Sequence, residues 1–320
     1  MTVLLAAVVG AAIVVPHCVA LDRVAPAVAA TIWLSALALR ALTAVFIAFF
    51  VVFFLGAGEL FGLVTHWCWN AVIPLVTTRL GLDGHQIGHA ASVAPSFVLV
   101  ASVVSVGVGI WRATRAVRHF LRRAALGTGP RDSVLIGGST VLVAAAGLRR
   151  PSVVVSAGAL TNLDDEELVA GLDHERGHIE RSHRFALLVA ELCRALARFL
   201  PGTRAAVREL RFHLERDADH WAVKRRNDPL ALASAICKAA DQRLADRPLV
   251  ATLGGPGTSR RITQLLNHHE GFQDGRHRGA RLLAAGMVAL TFGLVAILPA
   301  TAVAGVSQLA MDHGITHCPS

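Results

Sequence analysis

The stretch ELVAGLDHERGHIERSH, residues 167–183, places His174, Glu175 and His178 within about one turn of an Ala/Leu/Val-rich helix. On a helix, positions i and i+4 project from one face, so the two imidazoles can hold a single cation, with the Glu175 carboxylate over the same edge. Two neutral imidazoles as ligands beside a carboxylate that deprotonates water form the zincin arrangement, calling for one Zn2+ per chain. The residues just upstream set the helix start. Asp164, with Glu167 three positions on, makes a capping box, and the acidic run Asp164 to Glu167 complements the positive helix end, so a helix is predicted over 165–182.

A catalytic zinc usually takes three protein ligands and leaves the fourth position to water. His183 is the near candidate, but five residues beyond His178 is about 140° around a continuous helix. The metzincin spacing also fails, because it needs Gly at 181 and His at 184, where this chain has Arg181 and Arg184. The better third ligand is Glu215, in ELRFHLERDADHWAVKR (residues 209–225), on a second predicted helix. Glu215 and Asp219 are again i and i+4, so Asp219 can accept the free N–H of a ligating histidine and fix its tautomer, while Asp217 points elsewhere. The oxyanion of a tetrahedral intermediate also needs a donor. The chain contains no Tyr, which leaves His213, His220, His268, His269, Arg260, Arg261 or backbone N–H groups as candidate oxyanion or substrate contacts.

Around this constellation the chain is lipid-like. Of its 320 residues 54% are hydrophobic and 17% charged, and the mean hydropathy of +0.54 excludes an ordinary soluble domain. Four stretches are long and apolar enough to cross a bilayer, near residues 2–20, 28–56, 92–111 and 282–305. Arg40, inside the second, is expected to face the helix bundle. The connection 57–91 carries one basic residue, Arg79, whereas Arg112, Arg115, Arg118, Arg122 and Arg123 follow the third stretch at once. The positive-inside rule then puts residues 112–281 in the cytoplasm and both termini outside, with a short tail over 306–320. The net charge of +9 reads as attraction to anionic lipid at the inner leaflet, with no direct nucleic-acid binding expected. The five cysteines have neither metal-type nor disulfide-framework spacing, although the topology puts Cys68 and Cys318 on the same outer side, where a pair could form.

Residues 112–281 suffice for one compact domain. Its first half reads as short strands, SVLIGG from Ser133, TVLVAAAG from Thr140 and PSVVVSAG from Pro151, and its second half as helices. The expected fold is therefore a multi-pass α-helical membrane protein with four transmembrane helices, three plus one, and a cytoplasmic α+β zincin-like domain.

With PSVVVSAGALTNLDDEELVAGLDHERGH (151–178), LERDAD (214–219) and SRRITQLL (259–266) in view, the chain resembles the BlaR/MecR family of integral-membrane zinc metallopeptidases. The resemblance implies His174, His178 and Glu215 as zinc ligands, Glu175 as general base and acid, Asp219 behind the ligands, and SVVVSAG as an edge strand receiving an extended peptide. It further implies a cytoplasmic protein substrate such as a BlaI/MecI-like repressor. Only about 15 residues follow the fourth span, where the β-lactam-sensing members carry a penicillin-binding domain. Two other readings stand beside it, an HtpX/Ste24-like quality-control protease and a catalytically silent zinc-binding signal transducer.

Overall fold

The computed structural model describes residues 2–53, 84–241, 257–267 and 278–296. Cys68, Cys318, His268, His269 and most of the 57–91 connection lie outside them.

Helix α1 (Thr2–Cys18) runs into α2 (Pro26–Phe53), whose Pro26 takes the first helical position, where a missing N–H costs nothing. Helix α3 (Gly84–Ala124) continues past its apolar stretch through the five arginines, all exposed, straight into the first strand. A last helix, α10, spans Arg278–Ala296. Among the described residues three helices are long and apolar enough to cross a membrane, Pro26–Ala48, Phe97–Ala124 and Arg278–Ala296. Leu5–Cys18, expected as a fourth, is apolar but shorter. The flank of α3 is open, with Phe97 72% and Trp111 60% exposed, as a lipid-facing helix requires.

Four short strands form one sheet in the order β1-β2-β4-β3: β1 (Ala125–Thr128), β2 (Val134–Ile136), β3 (Val143–Ala146) and β4 (Ser152–Ser156). β1 and β2 are antiparallel, β2 and β4 parallel, and β3 returns antiparallel on β4 with Ala145 opposite Val153. The expectation that SVVVSAG is an edge strand is corrected here. β4 is paired on both sides, and Val153, Val154 and Val155 are all buried, as an unbroken apolar run in a central strand should be. The edge is β3. The strand β1 has no counterpart among the predicted strands.

The chain leaves β4 through Ser156, whose hydroxyl caps α4 (Ala157–Asn162) by accepting from the Ala159 N–H. Gly158 is obligatory there, since a Cβ would lie 2.2 Å from the Ser139 carbonyl oxygen. Then follow α5 (Asp165–Glu180), α6 (His183–Leu196), α7 (Thr203–Lys224), α8 (Pro229–Asp241) and α9 (Thr258–Leu266). The capping box forms as predicted: the Glu167 N–H donates to Asp164 at 2.8 Å and the Asp164 N–H to Glu167 at 2.9 Å.

The sequence separates a transmembrane region from a cytoplasmic domain, but the structure joins them. Half of the α2 span is buried inside the protein. Ile32, Trp33 and Leu37 of α2 share one core with Ala190 and Cys193 of α6, Val207, Leu210 and Leu214 of α7, and Met287 of α10. Each fully buried aliphatic side chain there contributes about 1.5–3 kcal/mol, so α2 is part of the domain's foundation. Arg40 is buried as expected, donating to the Ala36 and Ile13 carbonyls and contacting His17 Nε2 at 2.8 Å. A second core lies between the sheet, α5 and α8.

Candidate metal centre

Helices α5 and α7 pack side by side, with Gly177 of α5 lying where any Cβ would meet Trp221 of α7 at 3.0–3.1 Å. This close approach brings the two halves of the site together. His174 Nε2 and His178 Nε2 lie 3.2 Å apart, and the Glu215 carboxylate oxygens lie 3.6 Å from the first and 3.7 Å from the second. Ligands 2.0–2.1 Å from a common tetrahedral centre are separated by about 3.3 Å, so this triangle fits a zinc ion. All three donors are of the type zinc takes, and both rings are held from behind. Asp219 Oδ1 lies 2.9 Å from His174 Nδ1, and His183 Nδ1 lies 3.0 Å from His178 Nδ1.

The electrostatics follow from burial and one cation. Arg261, with no exposed side-chain surface, donates to Glu215 at 2.7 Å and to both oxygens of Asp219 at 2.6 and 2.8 Å. Burial alone would raise Glu215, but Arg261 and the two histidines bring it down to about 2, and Asp219 falls well below the usual carboxylate range for the same reasons. Burial pushes His178 down to about 3, leaving it neutral. Burial also opposes a charge on His174, yet Asp219 and Glu215 outweigh it and raise the pKa to about 9, so a metal must displace that proton. Glu175 is raised to about 7, chiefly by burial.

Glu175 stands between the triangle and the sheet, accepting a hydrogen bond from the Ala145 N–H on β3 at 2.7 Å. A cavity of about 120 Å³ opens beside it, lined by Ala145, Gly147 and Pro151 of the β3–β4 hairpin, by Glu175, His178 and Glu215, and by Arg184 and Leu187 of α6. Of the side chains expected as oxyanion or substrate contacts, none of the four that are described lines this cavity. Arg261 is committed to the two α7 carboxylates. Arg260 lies over the Phe212 ring and pairs with Asp22 at 2.9 Å and Glu209 at 3.2 Å. His213 is buried and accepts from Arg216 at 2.9 Å. His220 stands on the Asp217 side of α7. Asp22, Glu209 and His213 also cluster as three donor groups, but Arg260 already neutralises the carboxylates, and the Arg216 bond leaves the proton of a neutral His213 on Nε2.

The structure adds two residues that the sequence reading set aside. His183 is not carried 140° away, because α5 ends at Glu180 and Ser182 takes a left-handed conformation (φ 55°, ψ 31°) that swings the start of α6 back over the site. Asp217 faces away from the triangle, as expected, but meets His183 Nε2 at 3.1 Å. No periodicity argument reveals this, since the break at Ser182 carries neither Gly nor Pro.

Residues 112–269 match the model of peptidase family M48. No curated protein matches the chain. The match indicates a zinc metalloprotease, a peptide-bond hydrolase. His174, Glu175, His178, Glu215 and Arg261 all fall inside the matched segment.

Proposed function

We propose that this protein is a membrane-embedded zinc endopeptidase that binds an extended segment of a cytoplasmic protein along β3 and cleaves it beside Glu175. The observation that carries this reading is the direct contact of Glu175 with the outer edge of β3, a strand that among the described residues pairs with β4 alone, one turn from the candidate zinc ligands. Val143 shares the pleat phase of Ala145, so the Val143 N–H and C=O and the Ala145 C=O turn away from β4 and toward an incoming strand, while the Ala145 N–H is held by Glu175. A zinc ion on His174, His178 and Glu215 would supply the Lewis acidity that makes water nucleophilic near neutral pH. Glu175 takes the proton from that water as the scissile carbonyl is attacked, then returns it to the leaving amine. The Ala145 N–H keeps one carboxylate oxygen fixed, so the other is free for this transfer.

Placement follows from charge. The five exposed arginines at the end of α3 favour a cytoplasmic domain with both termini outside. Within this reading, the resemblance to BlaR/MecR proteins points to regulated cleavage of a BlaI/MecI-like repressor. The M48 match is equally consistent with an HtpX/Ste24-like role in membrane-protein quality control. Incubation of the detergent-solubilised protein with a winged-helix repressor and with an unfolded membrane protein separates them. Cleavage at one repressor bond supports the first reading; dispersed cleavage of the unfolded protein alone supports the second.

A further inference from the structure

We infer that His183 and Asp217 are positioning residues that fix the tautomer and ring orientation of His178 for metal binding; this rests on the metal-site reading above. In the triangle His178 presents Nε2, 3.2 Å from His174 Nε2, so its Nδ1 faces the other way, onto His183 Nδ1 at 3.0 Å. His183 in turn reaches Asp217 Oδ2 through Nε2 at 3.1 Å. For neutral rings only one proton arrangement satisfies both contacts. Asp217, an acceptor, requires the His183 proton on Nε2. That leaves His183 Nδ1 as an acceptor, which requires the His178 proton on Nδ1. His178 Nε2 is thereby left with its lone pair directed at the metal position.

His183 and Asp217 are 3% and 4% exposed, so their contact is enclosed by protein, with His183 also bordering the cavity beside Glu175. The two ligands are thus held differently. Asp219 reaches His174 directly, whereas Asp217, two residues earlier on α7, acts on His178 through an interposed imidazole. Ser182 places that imidazole, its left-handed conformation ending one helix and starting the next.

The test is the zinc dissociation constant of the full-length protein in detergent, by chelator competition, with melting of the metal-free protein measured alongside. His183→Ala and Asp217→Ala should each weaken zinc by about 10–100-fold. The double variant should be no weaker than His183→Ala alone, the non-additivity of groups acting through one another. Asp217→Asn, whose carbonyl oxygen still accepts from His183, should stay within about threefold of wild type. A His183→Ala protein with wild-type zinc affinity would overturn the relay, as would fully additive losses in the double variant. If His183→Ala does not fold, Asp217→Ala carries the test, and undiminished affinity there overturns the proposal. A wild-type chain that binds no zinc would instead overturn the metal site itself, and this inference with it.

Discussion

The Glu175 carboxylate and the Ala145 N–H meet at 2.7 Å, tying the helix that carries the candidate base to the sheet edge best placed to hold a substrate. In the proposed binding mode a peptide added to β3 would therefore lie beside the group that handles its proton. The same enclosure makes Glu175 an expensive carboxylate.

Because burial lifts Glu175 from 4.5 to about 7, ionising it in the metal-free protein costs stability. The cost is absent below about pH 4.5 and complete above about pH 7, amounting to roughly 3 kcal/mol. Glu175→Gln should therefore melt with wild type at pH 4.5 and clearly above it at pH 8, both stripped of metal. A gap that does not change between the two pH values contradicts the burial account.

Gly177 sets the distance between the histidine helix and the glutamate helix. In Gly177→Ala the new methyl meets Trp221, which cannot withdraw easily because Arg181 and Arg225 lie over its ring at 5.5 and 4.9 Å. Overpacking of this kind costs about 1–3 kcal/mol. It should also weaken zinc, because His174 and His178 are pushed away from Glu215. Calorimetric melting and zinc titration check both effects; adding Trp221→Leu should restore part of each.

Apart from the candidate ligand His174, Arg261 is the side chain among the described residues that reaches both Glu215 and Asp219. Arg261→Met leaves two buried carboxylates facing each other and should destabilise the metal-free protein by about 3–5 kcal/mol. Zinc should recover part of that loss, so the zinc-induced rise in Tm should exceed that of wild type. An equal rise in the two proteins would show that Arg261 does not offset the site's negative charge.

A chain beginning at residue 112 lacks α2 and exposes Ala206, Leu210 and Leu214, which are 0%, 0% and 5% exposed in the intact protein. It should aggregate or lose its cooperative transition when made alone, and co-expression with residues 1–111 should rescue it. Cooperative, soluble folding of the truncated domain would show that α2 only anchors.

What the sequence made legible was local. The His174/His178 pair, the Asp164–Glu167 cap and the Glu215/Asp219 pair each depend on helical spacing over a few residues, and all appear in the structure as expected. What it hid depends on contacts distant in the chain. The αL residue at Ser182, which returns His183 to the site, is invisible to a periodicity argument. The burial of Arg261 arises only when α9 brings it against Glu215 and Asp219, far away in the chain. The edge position that the resemblance implies for β4 depends on how many neighbours a strand has, which its apolar run does not reveal. Likewise, hydropathy marks α2 as a span but does not show that half of it faces protein.

The most direct test is zinc content and proteolysis measured together on purified wild type and Glu175→Gln in detergent. The account predicts about one zinc per chain in both, with peptide-bond cleavage by the wild type alone. Equal cleavage by a zinc-loaded Glu175→Gln protein, or a wild type that cleaves without binding zinc, would contradict it.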